Sequence, residues 1–158
     1  MANLTVGSYL STVYMKRSGI IPYYVNKNKT IIFLLAIDRK SGDYTDFGGG
    51  VKQVETALLG AKREFVQETD GIYGAPSLQH LASCPCLYDK SKSISIIFFP
   101  LKTGHHLTTF NTEISGIEGL SFSQIKKSKK VWARIWKLFK SIEPYQNDLT
   151  RFYYRSLI

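Results

Sequence analysis

The sequence predicts an α/β/α sandwich with a mixed β-sheet. Apolar runs of strand length, rich in β-branched and aromatic residues, alternate with segments of helical periodicity. The chain has 158 residues, of which 44% are hydrophobic and 13% aromatic, and this is enough to build one compact core. We therefore expect a single domain over residues 1–158.

The longest apolar runs are predicted to be strands. They cover residues 19–24, 30–37, 78–88 and 93–101. Polar, turn-forming residues at 26–29 and 89–92 predict two hairpin turns between them. Short segments at 43–47 and 114–122 would complete the sheet.

Two helices are predicted, over residues 55–69 and 123–142. The packed side of the first helix should consist of Leu58, Leu59, Ala61 and Phe65. In the second helix, apolar residues recur at steps of three and four and should face the core. They are Ile125, Trp132, Ile135, Phe139 and Ile142.

Three consecutive glycines precede the first helix, and two carboxylates lie near its end. Residues 48–50 are predicted to form a tight turn, since glycine allows unusual backbone angles. Glu64 and Glu68 are four residues apart, so their side chains leave the same face of the helix. Such close carboxylates repel each other unless a cation lies between them, and oxygen ligands suit Mg²⁺ or Mn²⁺. A metal ion that also contacts phosphate oxygens is the expected occupant.

This segment resembles the sequence box of the Nudix family, G-x5-E-x7-R-E-U-x-E-E-x-G-U, where U is a bulky apolar residue. The matching residues are Gly49, Glu55, Arg63, Glu64, Phe65 and Glu68. Gln67 replaces the first glutamate of the E-E pair, and Asp70 replaces the later glycine. Phe47 stands where a proline usually precedes the glycines.

The resemblance implies a Nudix-like sandwich and a metal-dependent hydrolase. Nudix enzymes cleave the diphosphate of a nucleoside diphosphate linked to another group, X. By position, Glu64 and Glu68 would bind Mg²⁺ or Mn²⁺, the Gly49 carbonyl would be a further ligand, and Gln67 could add an amide oxygen.

Other residues receive roles from the same resemblance. Glu55 and Arg63 would pair and hold the glycine segment against the helix. A carboxylate outside the box often completes the site or acts as general base. Glu113 is our first choice for that role and Glu118 the second.

The substrate stays open at this stage. Residues 18–24, 33–35 and 46–52 also resemble Nudix proteins of large DNA viruses, some of which remove mRNA caps, and this makes capped RNA a candidate. Inositol pyrophosphates and modified dNTPs are alternatives. Because a neutral amide is a weaker ligand than a carboxylate, Gln67 also suggests a module that binds nucleotide or RNA without hydrolysing it.

Positive charge is concentrated towards the C-terminus. The formal net charge is +9, and residues 126–140 contain seven lysines and arginines and no acid. A helix there would place four basic residues on one outer face, Lys127, Lys130, Arg134 and Lys137. Such a basic stripe would bind a polyanion such as RNA, or would serve only solubility.

The remaining features predict a cytoplasmic protein without a membrane segment. No apolar run approaches the roughly 18 residues that cross a bilayer, and no basic and then apolar leader is visible. Cys84 and Cys86 flank Pro85 and are interpreted as reduced strand residues.

Overall fold

The computed structural model describes residues 2–102, 113–128 and 130–157. Within these residues, eight strands form one sheet: β1 Thr5–Val6, β2 Arg17–Val25, β3 Ile31–Asp38, β4 Tyr44–Thr45, β5 Phe47–Gly50, β6 Pro85–Asp89, β7 Ile94–Pro100 and β8 Ile114–Leu120. The α-helices of the same residues are α1 Ala57–Glu68, α2 Leu78–Ser83, α3 Phe122–Ser128, α4 Ala133–Phe139 and α5 Gln146–Ser156. Two 3₁₀ helices are present at Gly7–Ser11 and Lys140–Tyr145.

The sheet is mixed, as predicted. Its order is β1-β6-β7-β2-β3-β4, with β5 paired to the first half of β2 and β8 paired to β3. Strands β2 and β7 are parallel, and the other strand pairs are antiparallel. Strand β2 is therefore central, and its first residue, Arg17, lies opposite both Ile94 of β7 and Gly50 of β5.

Helices cover both faces of this sheet, which confirms the α/β/α sandwich. Successive strand residues alternate between two hydrophobic clusters, so Ile20 and Leu34 belong to one and Ile21 and Leu35 to the other. Helices α1 and α2 pack on the first side, and α3, α4 and α5 on the second. Burial on both faces explains why the central strands are almost uninterrupted apolar runs.

The predicted strand at 78–88 is wrong in its first half. Residues Leu78–Ser83 form α2, because Ser77 caps the helix and accepts a hydrogen bond from His80 N at 3.0 Å. Leu81 provides its buried contact. In α1, Leu58, Ala61 and Phe65 are buried as predicted, whereas Leu59 is 39% exposed.

The single long helix predicted at 123–142 is also wrong. Between α3 and α4, Val131 forms a β-bridge with Tyr44. Tyr44 N donates to Lys130 O at 2.8 Å, and Trp132 N donates to Tyr44 O at 2.9 Å. This pairing with the sheet edge replaces helical hydrogen bonds. Trp132 is 39% exposed, while the other predicted core residues of this region are buried: Ile125, Ile135, Phe139 and Ile142.

Glycines 48–50 do not form the predicted tight turn. They lie in β5, where Gly49 pairs with Ser18 and Gly48 with Gly19. Their small size matters rather than their backbone freedom, since a Cβ on Gly48 would lie 2.7 Å from Gly19 Cα.

Several further features complete the description. Helix α5 was not predicted from the sequence. The predicted hairpin turns are present between β2 and β3 and between β6 and β7. Cys84 and Cys86 are buried free thiols. None of the helices in the described ranges has both the length and the apolar character needed to cross a bilayer.

Candidate active site

A cavity of about 330 Å³ opens beside the end of α1 and the start of β2. Five of its lining residues are acidic, and Arg17 supplies a positive charge. The lining consists of Arg17, Asp38, Ser41, Asp43, Thr45, Asp46, Gly48, Glu68, Glu113, Ile114 and Trp132. An anionic substrate would enter this cavity favourably only with cations that offset its carboxylates.

Glycine at position 49 allows the Glu64 carboxylate to approach the backbone of β5. A Cβ built on Gly49 would lie 2.6 Å from Cδ of Glu64 and 2.7 Å from its Oε2. No other residue type leaves this space, so α1 and β5 pack with a carboxylate directly against a strand backbone. The structure thus brings together Gly49 and Glu64, and their roles as metal ligands stay predictions.

Arg63 links α1 to β5 through Glu55. Its guanidinium donates to both Glu55 oxygens at 2.8 and 2.9 Å and to Gly50 O at 3.0 Å. These bonds from Arg63 lower the pKa of Glu55 to about 2. The predicted structural pairing of Glu55 with Arg63 is confirmed. Arg63 also donates to Glu64 Oε1 at 2.9 Å and so helps to orient that carboxylate.

Glu68 lies at the wall of the cavity and is only 6% exposed. Burial, together with the negative charges of Asp46, Glu64 and Glu113, raises its pKa to about 9. Arg17 acts in the opposite direction but does not compensate. A divalent cation beside Glu68 would favour the charged carboxylate and reverse this shift.

A buried ion pair between Arg17 and Asp46 was missed by the sequence reasoning. The guanidinium makes two hydrogen bonds to the carboxylate, at 2.7 and 2.9 Å. Burial alone would lower the pKa of Arg17, but the charge and hydrogen bonds of Asp46 raise it overall. Asp46 fits because Gly19 has no side chain; a Cβ there would lie 2.0 Å from Asp46 Oδ2. One sequence signal was available for Asp46. Asp46 and Gly48 alternate with buried Phe47, which places them together on the opposite face of the chain.

The two candidates for the general base, Glu113 and Glu118, lie at different places relative to the cavity. Glu113 lines the cavity with Glu68, and its role as general base stays a prediction. Glu118, the second choice, accepts a hydrogen bond from Tyr44 and is absent from the described cavity lining. That bond raises the pKa of Tyr44 to about 12.

Gln67 is exposed, and its amide oxygen accepts from Arg63 Nη1 at 3.4 Å. In the described residues it is therefore directed towards the Arg63 contacts rather than towards the cavity lining. Its role as a metal ligand stays a prediction.

The basic stripe does not exist as predicted. Lys127 is in α3, Lys130 precedes the bridge at Val131, and Arg134 and Lys137 are in α4. Because the helix is interrupted, the four residues do not share one helical face. Lys129, which contributes to the basic run, lies outside the described residues.

The chemistry of the donor set fits a hard divalent cation. Carboxylates of Glu64, Glu68, Asp46 and Glu113 and the Gly49 carbonyl are all oxygen ligands of the kind that Mg²⁺ and Mn²⁺ prefer. In the described ranges, no three acidic, histidine or cysteine side chains are grouped closely enough to hold an ion as they stand. Two of these carboxylates are instead engaged by Arg17 and Arg63.

Comparison with known proteins identifies the fold. No protein-family model and no curated protein matches the chain. Among solved structures, the Ap4A hydrolase of C. elegans has a TM-score of 0.55 and 17% identity, with 84% of this chain and 98% of that chain covered. The Nudix hydrolase RenU of M. smegmatis has a TM-score of 0.57 and 10% identity, with 86% and 88% covered. The chain has the Nudix fold.

A third match with this fold contains a metal ion. The bifunctional NMN adenylyltransferase/ADP ribose pyrophosphatase of Francisella tularensis, complexed with AMP and a Mn ion, has a TM-score of 0.58 and 12% identity. The match covers 84% of this chain and 42% of that chain. At these low sequence identities, the structural matches show a common fold and not a common activity. The resemblance to Nudix proteins of large DNA viruses receives no support from the comparisons.

Proposed function

We propose that this chain is a divalent-metal-dependent Nudix hydrolase that cleaves the diphosphate linkage of a nucleoside diphosphate joined to another group. The observation that carries the proposal is the placement of two carboxylates on one side of α1. Glu64 contacts the backbone of Gly49, and Glu68 is buried at the wall of an acidic cavity. A structural helix face gains nothing from such an arrangement, because burying acids beside other acids is unfavourable.

Different residues would bind the metal, position its ligands and accept the proton. Glu64, Glu68 and the Gly49 carbonyl would hold Mg²⁺ or Mn²⁺, which neutralises phosphate charge and lowers the pKa of bound water. Arg63 and Glu55 fix Glu64 and β5 relative to each other. Glu113 faces the same cavity and would accept the proton of the attacking water.

The substrate class follows from the cavity. A volume of about 330 Å³ is at the small end of ligand pockets, so it suits the diphosphate and one attached group. The names of two proteins with the same fold, Ap4A hydrolase and ADP ribose pyrophosphatase, specify nucleotide substrates. Within this class we favour capped RNA, with modified dNTPs as an alternative. Inositol pyrophosphates, which have a diphosphate but no nucleoside, are an alternative outside it.

A second candidate function is nucleotide or RNA binding without hydrolysis. Gln67 favours it, since a neutral and exposed amide replaces a carboxylate of the family box. The two candidates predict the same binding and differ in turnover.

A substrate panel separates them. Purified protein would be incubated with capped RNA, dinucleoside polyphosphates, modified dNTPs and inositol pyrophosphates, first with Mg²⁺ and then with Mn²⁺. The hydrolase proposal expects metal-dependent release of product from at least one nucleotide, abolished in Glu68→Gln at the cavity wall and retained in Glu118→Gln, a matched change outside the cavity lining. Binding of nucleotide without product in either metal would instead establish the second candidate.

A further inference from the structure

A second groove, of about 740 Å³, lies between the turn that joins β6 to β7 and the end of α4. Four lysines line it, two from the turn and two from the end of α4 and the following residue. They are Lys90, Lys92, Lys137 and Lys140. We call this surface the lysine groove. Only Lys137 belonged to the stripe predicted from the sequence.

The positive charge of the lysine groove is not neutralised by the surrounding chain. Among the described residues, none of its four lysines forms an ion pair with a carboxylate, whereas Lys126 pairs with Glu143 at 3.5 Å. Asp89 is the acidic residue of the described lining, and its Oδ1 accepts from Ser91 Oγ at 2.7 Å and Lys92 N at 3.2 Å. Asp89 thus stabilises its own turn, and the groove presents mainly ammonium groups.

The lysine groove is connected to the acidic cavity by two short segments. Arg17 N donates to Ser93 O at 3.1 Å, which attaches the β6–β7 turn to a cavity residue. Trp132 lines the cavity and immediately precedes α4, and Lys137 follows five residues later, about 8 Å along a helix axis. The Arg17 guanidinium lies 5.2 Å from the Trp132 ring centre, so the two segments meet at the cavity.

Aromatic side chains accompany the lysines. Tyr88 lines the groove and stacks on Tyr9 with ring centres 4.5 Å apart. Lys90 Nζ lies 5.8 Å above the Tyr9 ring. Tyr9 and Tyr88 are half-buried, and ammonium groups beside aromatic rings are a combination that binds single-stranded nucleic acid, through phosphates and stacked bases.

We propose that the lysine groove binds the phosphate backbone of single-stranded RNA whose 5′ diphosphate linkage lies in the acidic cavity. The inference rests on the proposed function for the position of the 5′ end, and on the groove itself for the binding of the chain. A mononucleotide bound in the cavity has no further phosphates to place along the groove, whereas an RNA chain continues with one phosphate per nucleotide. The groove therefore favours a 5′-modified RNA over a small nucleotide as the substrate of the cavity.

The test compares two fourfold variants of equal charge. One changes the groove residues Lys90, Lys92, Lys137 and Lys140 to Gln, and the control changes Lys27, Lys62, Lys126 and Lys127 to Gln. Affinity for a 20-nucleotide capped single-stranded RNA is measured over a series of salt concentrations. Each lost phosphate contact should reduce the salt slope by about 0.7, so the groove variant should lose roughly 2 to 3 units of slope and the control less than about 1.

Hydrolysis of a dinucleoside polyphosphate is measured beside RNA binding, since it reports the cavity alone. Unchanged turnover with weakened RNA binding in the groove variant supports the proposal. Equal weakening in both variants overturns it, because general charge would then explain the binding. Loss of polyglutamate binding as large as the loss of RNA binding also overturns it, in favour of an acidic protein partner. If the parent hydrolyses nothing but the slopes differ as expected, the proposed function fails and the RNA groove stands.

Discussion

Glu55 and Glu68 belong to the same sequence box, yet the structure gives them opposite environments. Glu55 accepts three hydrogen bonds, two from Arg63 and one from Lys52 N, and its pKa falls to about 2. Glu68 is buried among Asp46, Glu64 and Glu113, and its pKa rises to about 9. The folded protein stabilises the charged form of Glu55, whereas burial disfavours the charged form of Glu68.

This difference separates a structural acid from a candidate functional one. Glu55 holds the guanidinium of Arg63, which donates from α1 to Gly50 O of β5, and this arrangement would serve any protein with this packing. The position of Glu68 lowers stability unless a cation is present, and such strained placement is typical of functional sites. Substitutions at the two positions should therefore have different consequences for turnover and for stability.

Replacing Glu68 with Gln should reduce turnover by about 10²-fold or more, because a ligand charge is removed while the shape is kept. Folding should be preserved, since a buried amide is less costly than a buried acid among acids. Steady-state hydrolysis and thermal unfolding of the same preparation check both points. Turnover near that of the parent in the folded variant would remove Glu68 from the reaction.

Replacing Glu55 with Gln should instead reduce stability by about 2 kcal/mol, because it leaves Arg63 without its main charged partner. Urea unfolding at neutral pH is the measurement, with exposed Glu118→Gln as control. Turnover should fall less than in Glu68→Gln once the variant is folded. A stable variant with abolished turnover would mean that the two glutamates have the reverse roles.

The pH dependence of stability should differ for the two acids when metal is removed with chelator. The pKa of Glu55 is lowered from 4.5 to about 2, so its contribution is present above pH 4.5 and is lost as the pH falls to 2. The pKa of Glu68 is raised from 4.5 to about 9, so the folded state binds the extra proton and stability falls as the pH rises through this range.

Urea unfolding of the parent and of Glu68→Gln at intervals between pH 5 and 9 tests the second part of this prediction. The parent should lose stability with rising pH, and the variant should show a smaller loss. Identical slopes would show that Glu68 is already ionised in the metal-free protein.

Replacing Gln67 with Glu should have the smallest effect. The side chain is exposed and contacts Arg63 Nη1 at 3.4 Å. Solvent would therefore partly screen an added negative charge from the bound cation. The half-saturating Mg²⁺ concentration should fall by roughly threefold, the size expected of an exposed charge pair. Gln79→Glu on the exposed side of α2 is the matched control. A rise in that concentration would place Gln67 away from the metal.

Contacts between residues close in sequence were predicted better than contacts between residues far apart in sequence. Local spacing predicted that Glu64 and Glu68 leave one side of α1, because one helix turn separates them. The resemblance to the Nudix box predicted the Glu55–Arg63 pair. The Arg17–Asp46 pair joins residues 29 positions apart and depends on two glycines facing each other across strands. Local alternation places Asp46 and Gly48 on one face of the chain, but it does not identify Arg17 as the partner.

The same limit explains the broken helix. Residues 123–142 have helical periodicity throughout, but Val131 pairs with Tyr44, a contact that only the assembled sheet creates. The lysine groove depends likewise on a turn and a helix that are distant in sequence. Strands β2, β3 and β7 were predicted well because burial on both faces leaves a continuous apolar run in the sequence.

Binding of Mn²⁺ tests the central distinction most directly. Free Mn²⁺ would be titrated into the parent, Glu68→Gln and Glu55→Gln by electron paramagnetic resonance, without substrate. The account predicts binding to the parent, at least tenfold weaker binding to Glu68→Gln, and a smaller change in Glu55→Gln. Equal binding by the parent and Glu68→Gln would contradict the assignment of the buried carboxylate to a metal site.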